Sequence, residues 1–163
     1  MPDQDSAAAR ERQLRATDRA ADPSVLKHRA PPTKAIVDGS NVAHATEGAQ
    51  PRLKNILLVR DKLIAEGLQP ILVVDAALRH RIDDPRGLEQ LVDDGKINQA
   101  PAGTDADYFI LSFARELDAA IVSNDRFKDR IAAFPEAEED MIRYMIVADE
   151  VVFERRAGRT KRR

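Results

Sequence analysis

Aspartate stands at the end of three separate apolar segments of the sequence. These are Asp38 in KAIVD, Asp75 in PILVVD and Asp125 in AAIVSND. Each segment is typical of a strand buried in a parallel sheet, and sites in such sheets form at the carboxyl ends of the strands. The pattern therefore predicts that three carboxylates from distant parts of the chain share one crevice.

A fourth acidic segment, GTDADYFI, supplies Asp105 and Asp107 at the predicted start of the helix that precedes the Asp125 strand. Carboxylates that lie close together raise one another's pKa or require a cation. The chain has no Cys and only three His residues, so an all-oxygen site for Mg²⁺ or Mn²⁺ is expected. Such ions lower the pKa of a bound water and offset phosphate charge, which suits phosphodiester hydrolysis.

Each aspartate is also compatible with a purely structural role. Asp38 precedes a glycine and suits a turn, while residues 104–107 match a capping box in which Asp107 serves the helix N-terminus. Asp125 suits the cap of a helix that begins at Arg126. Taken together, however, three apolar strands that all end in aspartate favour a shared site over three unrelated turns.

The elements that must position these residues alternate between strand and helix patterns. Predicted strands span 34–38, 69–75, 96–100 and 119–123, and RYMIVADEVVFER is a strand, a turn and a second strand. Predicted helices span 51–67, 86–93, 104–117 and 125–133. This alternation predicts an α/β domain whose mostly parallel sheet is covered by helices on both faces.

The 163 residues fit one domain, and acidic and basic residues are unevenly distributed along the chain. Residues 1–33 are interpreted as a flexible arm and linker, 34–154 as an acidic folded domain, and 155–163 as a basic tail. The sequence shows no membrane-spanning segment or secretory leader, and the lack of Cys favours a cytoplasmic location. A homo-oligomer is compatible with the sequence.

Several of these segments resemble a known family. VDGSNVAH, VVDAALRHRI and GTDADYFILSFARELDAAIVSND, followed by RFKD, are similar to the NYN branch of PIN-like ribonucleases and most similar to the Regnase (MCPIP) type. The similarity runs from about Lys34 to Phe153. It implies a PIN-like three-layer α/β/α fold with strand order 3-2-1-4-5. It also implies a Mg²⁺-dependent endoribonuclease that cleaves single-stranded RNA.

The resemblance assigns roles to individual residues. Asp38 matches the acid of the first strand, Asn41 its polar partner in DGSN, and Asp107 the acid that opens the helix before the fourth strand. Asp125 and Asp129 match the acids of SND and of the helix predicted after it. The resemblance departs at position 106, where Regnase-type members carry adjacent acids. Here Ala106 stands between two aspartates, and Asp105 lies one residue further back.

The sequence and the resemblance together predict the following site. The catalytic residues are Asp38, Asn41, Asp107 and Asp125; the metal ligands are Asp38, Asp105, Asp107, Asp125 and Asp129. Ser40 and Asp75 are additional candidates, and Arg79, His80 and Arg81 are expected to contact RNA because they follow Asp75 at the active edge.

Three other kinds of protein compete with this prediction. A catalytically silent PIN-like module that binds RNA or protein is the main alternative, although retention of the acids disfavours it. A von Willebrand A type adhesion site requires a second serine where Val42 stands. A phosphoaspartate receiver requires adjacent acids after the first strand and a late lysine, and neither is evident.

Overall fold

The computed structural model describes residues 30–46 and 48–155, so residues 1–29 of the predicted arm and residues 156–163 of the predicted tail lie outside the described residues. The strands are β1 (Lys34–Asp38), β2 (Gln69–Val74), β3 (Asn98–Gln99), β4 (Ala120–Val122), β5 (Met141–Val147) and β6 (Glu150–Arg155). The α-helices are α1 (Gly39–Ala43), α2 (Leu53–Ala65), α3 (Pro85–Asp93), α4 (Ala106–Leu117) and α5 (Pro135–Glu139). Short 3₁₀ helices span Leu78–His80 and Ile131–Ala133.

The strands form one six-stranded sheet in the order β3-β2-β1-β4-β5-β6. Neighbours from β3 to β5 run parallel, and β6 returns antiparallel to β5. The predicted order 3-2-1-4-5 is therefore confirmed, with β6 added at one edge. Because the chain leaves β1 first toward β2 and later toward β4, strand order reverses between β1 and β4. Ligand sites in open α/β sheets form at this switch point.

Helices cover both faces of the sheet, as the alternation predicted. On one face, Val37 and Val122 pack in a cluster with Ile56 and Leu63 of α2. On the other face, Ile36, Val73 and Ile121 pack with Ile110 and Leu111 of α4. Adjacent strand residues point to opposite faces, so continuous apolar strands such as Ala35-Ile36-Val37 can serve both layers. None of the helices within the described ranges has the length and apolar composition needed to cross a bilayer.

The short helix α1 was not predicted, and it explains why glycine follows Asp38. Asp38 is the N-cap of α1, and its side chain accepts a hydrogen bond from the backbone N–H of Asn41. At Gly39, a Cβ atom would lie 2.7 Å from both the Val73 carbonyl oxygen and the Val74 Cγ1. Since real Cβ atoms do not approach backbone so closely, only glycine allows α1 to begin against β2.

The prediction of a helix over 125–133 is wrong. The chain instead forms a loop, the 3₁₀ helix Ile131–Ala133 and then α5. The side chain of Asp125 accepts from the Phe127 N–H at 2.8 Å, which closes a turn rather than a helix cap. Phe127 then adopts a φ of 49°, and its ring is buried in the core. Burial of this ring compensates a backbone conformation that a continuous helix would not allow.

Candidate active site

A cleft of about 290 Å³ opens at the carboxyl ends of β1 and β2, beside the first turn of α4. Six polar residues that the sequence singled out line it: Asp38, Ser40, Asn41, Asp75, Asp107 and Asp125. The strand-end argument predicted the meeting of three of these carboxylates, and α4 brings the fourth. The cleft occupies the switch point of the sheet, where β1 separates β2 from β4.

Asp38 lies at the floor of the cleft and is only 7% exposed. Its carboxylate accepts from the Ser123 hydroxyl at 2.8 Å and from the Asn41 N–H at 3.4 Å. Burial, aided by the charges of Asp107 and Asp125, raises the pKa of Asp38 to about 6 despite these two bonds. Keeping this group ionised at neutral pH therefore costs free energy, which a nearby cation would offset.

Asp107 lies in the first turn of α4 and is electrostatically linked to the other acids. Burial is the main reason that its pKa is raised, and the charges of Asp125, Asp105 and Asp129 act in the same direction. The guanidinium of Arg130 opposes them. Asp107 is thus held within the field of several carboxylates, with one basic group nearby.

Asp105, not Thr104, is the N-cap of α4. Its carboxylate accepts from the N–H groups of Asp107 at 3.1 Å and Tyr108 at 3.3 Å. It also forms an ion pair with Arg130 at 2.6 Å. Burial is the largest single influence and raises its pKa, but the bonds from Arg130 and the helix N–H groups together with the charge of Arg130 outweigh burial and lower the pKa overall. The capping box proposed for Asp107 is therefore wrong, and Asp107 is left to face the cleft.

Two of the predicted metal ligands do not line the cleft. Asp105 is committed to the helix terminus and to Arg130. Asp129 is exposed and acts on the cleft through its charge on Asp107. Their roles as metal ligands stay predictions.

The capping role of Asp105 predicts different effects for two substitutions. Asp105→Ala should lower the free energy of unfolding by roughly 1 kcal/mol, because the cap is lost. Asp105→Asn should cost only a few tenths of a kcal/mol, because asparagine caps as well and the exposed pair with Arg130 contributes little. Urea denaturation of both variants checks this. Equal losses in the two variants would show that the charge, not the cap, matters.

Ser123 connects two of the acids and was not predicted as a site residue. Its hydroxyl donates to Asp38 and accepts from the Asp125 N–H at 3.0 Å. Arg143 of β5 donates to the carbonyl oxygens of Ser123 at 2.9 Å and Asp125 at 2.6 Å. The SND motif was a signal for Ser123, but Arg143 is distant in the sequence and gave none.

Ser40 and Asp75 fasten α1 to the end of β2. The Ser40 hydroxyl accepts from the Asp75 N–H at 3.1 Å, and the Asp75 carboxylate accepts from the Ala77 N–H at 2.9 Å. His44 also lines the cleft, and its Nδ1 lies 2.7 Å from the Ser40 carbonyl oxygen. These contacts give Ser40 and Asp75 a structural role at the cleft wall, and a functional role for them stays a prediction.

Asn41 is held by two residues that do not themselves line the cleft. Its Oδ1 accepts from the Asn124 N–H at 3.0 Å and from the Tyr144 hydroxyl at 2.6 Å. Burial, followed by the charge of Asp38, raises the pKa of Tyr144 above its usual range, so the phenol stays protonated and donates. Tyr144 gave no functional signal in the sequence, where it stands only within a predicted strand.

Arg79, His80 and Arg81 lie at the same edge of the sheet but outside the cleft lining. They follow β2 in and after the first 3₁₀ helix, and all three are exposed. Arg79 Nε lies 3.4 Å from His80 Nε2. They are accessible to a long ligand that leaves the cleft, and RNA contact by them stays a prediction.

The acids of the cleft fit a hard divalent cation by their chemistry. Within the described residues, no three Asp, Glu, His or Cys side chains are grouped closely enough to hold a metal ion as placed. Most of the polar side chains that line the cleft nevertheless carry carboxylate or hydroxyl oxygens, which Mg²⁺ and Mn²⁺ prefer. The charges of Asp107 and Asp125 also raise the pKa of Asp38, and the charge of Asp125 raises the pKa of Asp107, as expected of groups that would share a cation.

A parallel sheet between two layers of helices, with acids where the strand order reverses, is the architecture of a PIN-like α/β domain. Residues 32–163 match the family model described as the Zc3h12a-like ribonuclease NYN domain. This match spans most of the chain, and the chain belongs to that family of ribonuclease domains. The resemblance found in the sequence motifs is thereby confirmed.

Solved structures support the same fold. Two structures of the nuclear protein-only RNase P 2 (PRORP2) of Arabidopsis thaliana match with TM-scores of 0.62 and 0.61 and 20% sequence identity. Each match covers 91% of this chain and 36% of the RNase P chain. At this identity the likeness concerns the fold, and the chain spans little more than a third of that protein. No curated protein sequence matches the chain.

Proposed function

We propose that this domain is a metal-dependent endoribonuclease that cleaves single-stranded RNA. Membership of a ribonuclease domain family supports RNA as the substrate. The observation that carries the proposal is the convergence of Asp38, Asp75, Asp107 and Asp125 on one cleft. The raised pKa of about 6 at Asp38 supports a place for a cation in that cleft, because burial beside other acids makes the bare charge unfavourable.

Asp38, Asp107 and Asp125 would hold Mg²⁺ or Mn²⁺. When bound, such an ion lowers the pKa of a coordinated water and offsets the charge of the scissile phosphate. The chain's own contribution is to fix these acids. Ser123 and the N-terminus of α1 hold Asp38, and the Phe127 N–H holds Asp125. Asp105 and Asp129 would assist through a second ion or through ordered water.

The surroundings of the cleft suit a single strand that lies across the sheet edge. Arg79, His80 and Arg81 would contact phosphates beyond the cleft, since they are exposed at the carboxyl end of β2. The basic tail, whose residues 156–163 lie outside the described part, would offset the acidic body and raise affinity for RNA.

A cleavage assay tests the proposal. A fluorescent unstructured RNA should be cut internally with Mg²⁺ or Mn²⁺ and left intact in EDTA, whereas a DNA of the same sequence and a duplex RNA should be cut more slowly. The products should carry 5′-phosphate and 3′-hydroxyl ends, because water and not the ribose 2′-hydroxyl attacks the phosphate.

Two results would contradict the proposal in different ways. Equal cleavage in EDTA, or products with cyclic phosphate ends, would exclude the metal-dependent route. RNA binding without cleavage under any metal would favour the alternative, a catalytically silent PIN-like RNA-binding or protein-interaction module.

A further inference from the structure

The Asn41 carboxamide has one possible orientation. A backbone N–H can only donate, so the contact with the Asn124 N–H requires the oxygen of Asn41, not its nitrogen, on that side. The same oxygen accepts from the Tyr144 hydroxyl. Because a carbonyl oxygen has two lone pairs, both are occupied, and Oδ1 has none left for a cation.

The other end of the carboxamide is open. The Nδ2 group carries two N–H donors, and it forms no hydrogen bond with another residue in the described part of the chain. It is not among the buried side-chain atoms that lack a partner there, and Asn41 lines the cleft. Nδ2 therefore offers two donors to whatever occupies the cleft.

Asn124 and Tyr144 form a rigid support for Asn41. The Asn124 side chain donates to the Tyr144 carbonyl oxygen at 2.9 Å and accepts from the Tyr144 N–H at 3.1 Å, in the manner of a neighbouring strand. The Tyr144 ring is only 6% exposed and packs in the core. Both donors to Asn41 thus come from one unit anchored in β5.

We propose that Tyr144 is a positioning residue that holds Nδ2 of Asn41 toward the cleft, where Nδ2 donates a hydrogen bond to a non-bridging oxygen of the RNA phosphate. This inference rests on the proposed function. In a cleft lined by four aspartates, a neutral donor relieves part of the repulsion between carboxylates and phosphate. Hydrogen bonds to an anionic oxygen are stronger than neutral ones. Asn41 then binds substrate and not metal.

A double-mutant cycle on the full chain tests the coupling of Tyr144 to Asn41. Asn41→Ala should lower kcat/KM by roughly 10- to 100-fold, because a bond to a charged acceptor is lost. Tyr144→Phe should lower it by roughly tenfold, because the ring stays in the core and only the hydroxyl is lost. In the Asn41→Ala background, Tyr144→Phe should cost less than about twofold, since the group that it positions is already absent.

Two comparisons separate positioning from a structural effect. The Mg²⁺ concentration for half-maximal activity should be the same in wild type and both single variants, because neither residue holds the ion. Tyr108→Phe is the matched control: it removes the hydroxyl of the other tyrosine, which packs edge-on against Phe134 away from this network, and it should leave kcat/KM unchanged. An equal cost of Tyr144→Phe with and without Asn41 would overturn the inference.

A readout independent of cleavage keeps the two proposals apart. In EDTA, the NMR signals of the Asn41 side-chain NH₂ should move when a short single-stranded RNA is added to saturation, and the movement should shrink in Tyr144→Phe. Signals that stay in place at saturation would overturn the phosphate contact. Movement of these signals in a wild type that cuts no RNA even with Mg²⁺ or Mn²⁺ would refute the proposed endoribonuclease and leave the Asn41 contact standing.

Discussion

RNA cleavage by Asp38→Asn and by Asp125→Asn is expected to fall by at least about 100-fold, or roughly 2.7 kcal/mol in the activation barrier. Both side chains line the cleft, and both carry a charge that asparagine lacks. The substitutions are conservative for the fold. Asparagine at 38 can still cap α1, and asparagine at 125 can still accept from the Phe127 N–H. Loss of activity would therefore report loss of charge.

The matched control is Asp93→Asn. Asp93 is the last residue of α3, is exposed and does not line the cleft. It should retain wild-type cleavage under the same metal concentration, measured as initial rates with excess RNA. Activity within a few fold of wild type in both cleft variants would refute a mechanism that depends on these two carboxylates, even if cleavage itself required a metal.

The strand-end rule predicted the main part of the site, because it depends on topology alone. Asp38, Asp75 and Asp125 follow three apolar segments, and parallel strands bring their carboxyl ends to one edge whatever the loops do. The continuous apolar character of these segments also predicted helices on both faces. Neither conclusion required knowledge of which side chains touch.

The sequence could not predict which of Asp105 and Asp107 caps the helix and which faces the cleft. Both residues suit the first turn of a helix, and the choice of cap depends on where the backbone leaves its extended conformation. In the structure Asp105 is extended, with φ −66° and ψ 106°, and receives two helix N–H groups. A shift of one residue decides which carboxylate stays with the helix and which faces the cleft.

Sequence patterns also did not predict hydrogen bonds between residues that are far apart in the chain. The hydrogen bond between Tyr144 and Asn41 joins residues 103 positions apart, and that between Ser123 and Asp38 joins residues 85 apart. The prediction for the loop after β4 was wrong for a related reason. A helix pattern over 125–133 was overridden by tertiary packing of Phe127 in the core. Propensity is a weak guide when one buried ring fixes the backbone.

The second large effect concerns stability without metal. In EDTA at pH 7.5, the free energy of unfolding of Asp38→Asn is expected to exceed that of wild type by up to about 3 kcal/mol. The upper limit follows from a folded pKa of about 6 for Asp38 against roughly 3.9 in the unfolded chain. Burial is the main cause, and the charges of Asp107 and Asp125 add to it. Asparagine keeps the cap and removes the charge.

The sign of the pH dependence gives the effect a signature. Between about pH 6 and pH 4 the folded protein binds a proton at Asp38 that the unfolded chain does not yet bind, so wild-type stability rises as the pH falls. Asp38→Asn lacks this rise, and the gap between the two proteins should close toward pH 4. The lowered pKa values of Asp105 and Asp149 act in the opposite direction at lower pH, but both proteins share them.

Adding Mg²⁺ should narrow the gap in stability between the two proteins. For an assumed dissociation constant of about 1 mM, 10 mM Mg²⁺ would stabilise wild type by roughly 1.4 kcal/mol, or a few degrees in Tm, and Asp38→Asn by much less. Urea denaturation and thermal melts of both proteins from pH 4 to 7.5, each with EDTA and with Mg²⁺, measure these differences. If Asp38 were only a helix cap, wild type would be indifferent to Mg²⁺, and Asp38→Asn would not exceed wild type in stability in EDTA. That result would show that the carboxylate of Asp38 has a structural role, and it would contradict a cation site in the cleft.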